Sequence, residues 1–154
     1  MKPQQLIFEK IEQFLKEGFE ELLVFYDNGK HISVEETGLW IAVDESELTI
    51  GFEENYRQFN PEWEDISNAV TMFINILTKQ KRITQYRKGS FIFKTKLEVE
   101  DENENFKYIS TSMTWLFPYW RKTTQKISFI EPIIQYKKVA KELETLQESI
   151  KKIQ

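Results

Sequence analysis

Apolar positions recur with helical spacing in three segments of this chain and alternate with polar positions in the stretches between them. Gly18 follows the first helical segment as a predicted C-cap, and the apolar stripe of that segment is Leu6, Ile7, Ile11, Phe14 and Leu15. Asn60 and Pro61 predict the start of a second helix, whose buried stripe is Ile66, Val70, Phe73, Ile74 and Leu77.

A third helix is predicted over residues 135–153. Its apolar residues form a narrow seam: Val139, Leu143, Leu146, Ile150 and Ile153. This seam has two interpretations. Either the helix docks on the sheet of its own chain, or it pairs with a second copy and makes a homodimer.

The alternating stretches predict two groups of four strands. In the first group, Asp27-Asn28-Gly29-Lys30 is a predicted hairpin turn, and the strands are residues 21–26, 32–34, 39–44 and 48–53. In the second group, the predicted strands are residues 83–86, 91–99, 106–117 and 122–130. Residues 100–105 are a predicted polar turn, and Pro118 is expected to end the third of these strands.

The order helix, four strands, helix, four strands, helix (α-ββββ-α-ββββ-α) predicts an α+β fold. Tight hairpins favour a curved, largely antiparallel sheet of two strand groups with packed helices. No segment resembles a linker, so residues 1–154 are expected to form a single domain. The layout resembles small α+β chaperone and immunity-type folds, in which helices cover a curved antiparallel sheet; this likeness is one of topology, and topology alone does not imply a function.

The composition narrows the compartment and the partners. The chain is free of Cys, which excludes disulfides and thiolate metal sites and favours a cytoplasmic protein. Residues 1–16 lack the apolar core of a secretory signal, and no apolar run is long enough to cross a membrane. The formal net charge is −4, with −8 from residues 1–60 and +4 from residues 61–154. The acidic half disfavours nucleic acid and is expected to steer a basic partner.

Few residues have the spacing that catalysis or cofactor binding requires. His31 is the single histidine, and its place beside a turn is typical of a surface residue. The glycines are isolated, so no phosphate-binding loop is predicted, and the acidic run 101–105 lacks the spacing of a calcium loop. We therefore expect no cofactor, no metal and no enzyme. A hydrolase that uses His31 or paired carboxylates is the weakest alternative.

The segment Lys88–Lys94 is similar to the basic-Gly-aromatic strand of RNA-recognition motifs, with Ser90 where that motif has an aromatic residue. Seven Lys or Arg and no acidic residue lie between Lys79 and Lys96. However, Phe91 and Phe93 share a strand face with apolar neighbours and are expected to lie in the core. Nucleic-acid binding is therefore disfavoured.

The cluster around Pro118 is the best candidate for function. Trp115 and Phe117 project to one side of a strand and are expected to face the core or a pocket wall. The residues after Pro118 fall in a connection, where aromatic and cationic side chains are typical of interaction surfaces: Tyr119, Trp120, Arg121 and Lys122. The sequence predicts a non-enzymatic protein-binding module. The alternative is a small-molecule site between sheet and helices, lined by Trp115, Phe117 and Thr114.

Overall fold

The computed structural model describes residues 1–115 and 118–152. Its three helices are α1 (Pro3–Phe19), α2 (Ser67–Thr78) and α3 (Tyr136–Lys151). Five strands lie between α1 and α2: β1 (Leu23–Tyr26), β2 (His31–Val34), β3 (Leu39–Val43), β4 (Leu48–Phe52) and β5 (Asn55–Phe59). Four strands lie between α2 and α3: β6 (Lys81–Lys88), β7 (Phe91–Glu100), β8 (Phe106–Met113) and β9 (Thr123–Ile130).

Every strand pair is antiparallel, and the two groups form separate sheets in the orders β1-β2-β3-β4-β5 and β8-β7-β6-β9. The predicted α+β class and antiparallel pairing are confirmed. The first group contains one more strand than predicted, because β5 pairs with β4 after a tight turn in which Glu53 has φ +54°. Its central residues 56–58 are exposed, so β5 shows no apolar alternation in the sequence.

Two predicted helix ends differ from the structure. Gly18 lies inside the last turn of α1 rather than beyond it. Helix α2 begins at Ser67, because the segment before it forms turns: the Asn60 Oδ1 accepts the amide of Glu62 at 2.9 Å, and the Asp65 Oδ1 accepts the amide of Ser67 at 2.9 Å. These local side-chain hydrogen bonds compete with helix formation.

One hydrophobic core joins the inner face of the five-stranded sheet, the three helices and one end of the four-stranded sheet. The predicted stripe of α2 is buried, and so are Leu143, Leu146 and Ile150 of α3. Helix α3 packs on α1 and α2, so its seam is covered within the chain by helices rather than by a sheet. Ile153 lies outside the described residues.

The two sheets meet where β5 runs beside β8. Asn55 of β5 is buried, and its Nδ2 donates to the carbonyl oxygens of Thr95 at 3.0 Å and Ser110 at 3.3 Å. A buried amide that satisfies two backbone carbonyls fixes the relative position of the sheets. Strands β8 and β9 are the two edge strands of the four-stranded sheet.

The four-stranded sheet extends beyond the core. Leu97 and Val99, at one end of β7, are buried, whereas Phe91 at the other end is 42% exposed and Phe93 is half-buried. The expected core position of Phe91 is therefore wrong. Polar and apolar residues do alternate along β7, but at this end of the β6–β7 hairpin no core lies against the apolar side chains. In the described parts of the chain, no helix combines the length and apolar character that crossing a membrane would demand.

Candidate functional site

The candidate surface lies at the end of the four-stranded sheet that is remote from the helices. The chain leaves β8 after Met113 and enters β9 at Thr123, which pairs with Lys88 beside the β6–β7 turn. Because β8 and β9 are the two edges of this sheet, their connection crosses its whole end. Within the connection, the Arg121 amide donates to the Pro118 carbonyl at 3.0 Å and closes a turn.

Three large rings in this connection are exposed. The exposed fraction is 83% for Trp115, 76% for Tyr119 and 72% for Trp120. We call these residues the distal aromatic cluster. The Tyr119 and Trp120 rings meet edge to face, with centroids 5.3 Å apart. The expectation that Trp115 faces the core or a pocket wall is wrong, because β8 ends before it. Phe117 lies outside the described residues.

Three cations border this cluster: Lys88, Arg121 and Lys122, which we call the cationic rim. The Arg121 side chain lies against Gly89, since a Cβ placed on Gly89 would be 3.5 Å from Arg121 Cδ. Gly89 has φ +63°, a conformation that glycine adopts without strain, so the hairpin turns tightly beneath Arg121. Among the described residues no acidic group pairs with these three cations.

No acidic residue close in the sequence compensates the positive charge of Arg121 and Lys122 in the cationic rim. Residues 105–130 contain four Lys or Arg and no Asp or Glu. On the same sheet, Arg82 donates from Nε and Nη2 to both Glu98 oxygens, at 3.0 and 2.8 Å. Hydrogen bonding from Arg82 holds the pKa of Glu98 below its ordinary value, so this pair remains charged and self-neutralised. Residues 105–130 therefore give the distal end a local excess of positive charge, while Glu54 lies at the cleft beside Met113 and Thr114.

A cleft of about 270 Å³ opens between β5 and the four-stranded sheet. Its described lining includes Thr114 and Ser112, with Glu54 and Lys94 at either side, and does not include Trp115. The Thr114 amide donates to the Phe93 carbonyl at 2.9 Å. Thr114 therefore lines a cleft between strands without Trp115, one of the two aromatic residues predicted to line a pocket with it; the other, Phe117, lies outside the described residues.

Sequence reasoning missed a second aromatic group on the outer face of the five-stranded sheet. Four side chains from four strands contact one another in series, and we call them the aromatic row: Tyr26, His31, Trp40 and Tyr56. The His31 and Trp40 rings lie nearly parallel, with centroids 5.1 Å apart. The Trp40 Nε1 donates to the Glu53 carbonyl at 2.9 Å. The predicted hairpin turn placed Tyr26 opposite His31, which was the available signal.

Asp44 and Glu53, two carboxylates of the first half of the chain, lie in the connections between strands. The Asp44 Oδ1 accepts the amides of Ser46 and Glu47, at 2.8 and 2.9 Å, and holds the β3–β4 turn. The bond from Ser46 lowers the pKa of Asp44. Burial raises the pKa of Glu53, with a smaller contribution from Glu54. Across residues 1–115 and 118–152, no three His, Asp or Glu side chains gather as metal ligands would.

Comparison of the chain with models of protein families, with curated proteins and with solved structures finds no match.

Proposed function

We propose that this chain is a non-enzymatic protein-binding module, and that the distal aromatic cluster with the cationic rim contacts an acidic segment of its partner. The main observation in favour is that Trp115, Tyr119 and Trp120 are each more than 70% exposed. They also lie beside cations that have no acidic partner among the described residues. Tyr, Trp and Arg are the residue types that contribute most at protein interfaces.

The energetics of the cluster support this proposal. Exposed aromatic rings gain little from folding, since their apolar surface remains in water. Covering them with a partner would recover that free energy, on the order of 2 kcal/mol for each ring that becomes fully buried. The cations of the rim would raise the rate of encounter with an acidic segment.

The alternatives have weaker support. The cleft beside Thr114 has a volume of about 270 Å³, at the lower end of the range for small-molecule sites. The buried seam of α3 leaves mainly charged and polar side chains on the exposed face of that helix. We retain the cytoplasm as the proposed compartment because the chain has no Cys. An immunity-like or chaperone-like role fits a module of this kind.

The test compares two tryptophans that are both largely exposed. Trp63 is 82% exposed and lies before α2, far in the sequence from the cluster. Purified wild type, Trp120→Ala and Trp63→Ala would be crosslinked to host-cell proteins under identical conditions. We expect wild type and Trp63→Ala to recover the same partner and Trp120→Ala to lose it. Equal recovery by all three proteins would contradict the proposed surface.

A further inference from the structure

We propose that the partner segment binds as an added β-strand along the free edge of β9, with its acidic residues beside the cationic rim. This inference rests on the proposed function and deepens it, because it gives the conformation and the charge pattern of the partner. Strand addition is a common way for an extended segment to bind a sheet.

The direction of the β9 backbone groups follows from the pairing of β6. The Glu100 amide donates to the Gln80 carbonyl at 3.0 Å, so even-numbered residues of β6 direct their N–H and C=O toward β7. Successive residues alternate in direction. Odd-numbered residues of β6 therefore face β9, where their partners are Thr124, Lys126, Ser128 and Ile130. The intervening residues direct their N–H and C=O outward: Thr123, Gln125, Ile127 and Phe129.

This outer edge is open over its length. Within the described ranges, no backbone or side-chain group pairs with the outward N–H and C=O groups of β9. Residues 123–127 are all exposed. The strand has no bulge in its pairing with β6, no proline and a single charge at Lys126. Natural edge strands usually carry several such features against unwanted pairing. Lys126 is the one that β9 carries, so this lightly protected edge of eight residues favours a binding role.

One half of the β9 edge is positively charged and the other half is apolar. The cationic rim and Lys126 lie at the Thr123 end, where acidic side chains would be attracted. At the other end, Ile127 and Phe129 are exposed, and Glu131 follows the strand. Phe129 contacts Phe106, with centroids 5.8 Å apart. An added strand therefore fits best with acidic residues beside the rim and β-branched residues beside Ile127 and Phe129.

The direct test uses amide hydrogen exchange with a synthetic probe. The probe is a nine-residue peptide with three Glu at one end and alternating Thr and Val after them, and a second peptide has the reversed sequence. In free protein, β6 already protects the amides of Thr124, Lys126 and Ser128. On binding one of the two peptides, we expect slower exchange at the outward amides of Gln125, Ile127 and Phe129. This alternating pattern reports strand addition rather than side-chain contact.

A backbone variant supplies the second measurement. Gln125→Pro removes one outward N–H, and proline is tolerated at an open strand edge. Gln125→Ala loses the same side chain and keeps the N–H. We expect Gln125→Pro to bind the peptide about tenfold more weakly than Gln125→Ala, the effect of one hydrogen bond.

The outcomes separate this inference from the proposed function. Peptide binding that leaves the outward amides unprotected overturns strand addition. If that binding is lost in Trp120→Ala, the proposed surface still stands. Failure of both peptides to bind, or tighter binding of a twelve-nucleotide oligothymidylate, also overturns the inference. Protection of the outward amides that persists in Trp120→Ala supports strand addition and contradicts the role of the cluster.

Discussion

Both sheets carry aromatic side chains at their surface, but the two sets differ in what they contact. The rings of the aromatic row pack against one another across the five-stranded sheet, and the Trp40 Nε1 also donates a hydrogen bond to the Glu53 carbonyl. The distal aromatic cluster lies past the end of a strand, and its rings face solvent. The same residue types therefore stabilise the fold in one place and leave apolar surface uncovered in the other.

The two regions also differ in charge. The first 60 residues have a net charge of −8 and contain the aromatic row, whereas residues 105–130, which contain the cluster, have no acidic side chain. A partner that is attracted to the cluster would be repelled by the opposite half of the molecule. Exposed aromatic residues therefore favour a binding surface only where the fold itself does not use them.

Replacing Trp40 gives the largest expected effect. Trp40→Ala removes the ring that contacts both His31 and Tyr56, and we expect the free energy of unfolding to fall by about 2–3 kcal/mol in urea denaturation. Trp63→Ala, at 82% exposure, is the control and should change it by less than about 0.5 kcal/mol. Equal losses in the two variants would remove the distinction between the row and ordinary surface tryptophans.

Gly51 tests the packing beneath the row. A Cβ at Gly51 would collide with the indole of Trp40, so we expect Gly51→Ala to lower the free energy of unfolding by about 2 kcal/mol. Gly18→Ala is the matched control, since the site is helical and nothing beyond its chain neighbours and its own helix backbone lies within 4 Å of the added Cβ. It should stabilise the protein by roughly 0.5–1 kcal/mol.

The cause of the Gly51 effect can be isolated with a double variant. In the Trp40→Ala background, Gly51→Ala should be nearly neutral, because the colliding ring is gone. A loss as large as that in wild type would assign the effect to the strand backbone instead.

Strand β6 has a lysine at each end, with Lys81 at the core end and Lys88 at the distal end. Lys81 is fully buried, and its Nζ donates to the Ile76 carbonyl at 2.7 Å and the Lys79 carbonyl at 3.1 Å. Burial lowers the pKa of Lys81 to about 8, against a smaller opposing effect of Glu131. The unfolded chain keeps this proton to higher pH than the native protein does.

The free energy of unfolding should therefore rise with pH between about 8 and 10 through Lys81, by at most about 1.4 kcal/mol per pH unit. Urea denaturation of wild type and Lys81→Met across this range measures the contribution as the difference in slope. Lys88→Met should keep the wild-type slope. If Lys81→Met keeps it too, the buried amine does not titrate in this range.

The smallest effect on stability is expected at the cluster itself. Trp120→Ala and Tyr119→Ala should each change the free energy of unfolding by less than about 0.5 kcal/mol, because both rings are largely in solvent. Thermal and urea denaturation would check this. A loss above about 2 kcal/mol would place these rings in the core and contradict the proposed surface.

Most elements of the fold could be predicted from local patterns. The helical stripes, the two β-hairpins of the first sheet and the long β7 strand follow from the spacing of apolar residues. The turn after β1 follows from residue type, since Asp27, Asn28 and Gly29 all have positive φ. Strand β5 could not be predicted, because its pairing with β4 is made by backbone groups and its exposed residues are polar.

The candidate site divides in the same way. The exposure of Tyr119 and Trp120 fits their predicted place in a connection after Pro118, a feature of local chain geometry. The exposure of Trp115 and Phe91 required knowledge of where β8 ends and how far the helices reach. The aromatic row required the register of four strand pairs.

Residue spacing was enough to predict the three helices, eight of the nine described strands and their order, because these depend on contacts between near neighbours in the chain. Tertiary packing sets which end of the second sheet is covered and which aromatic rings the fold uses. Burial depends on the elements that happen to lie over a residue. Here α1 and α2 pack on the first sheet, α2 also contacts β7, and α3 packs on these two helices, which leaves β9 and the distal cluster in solvent.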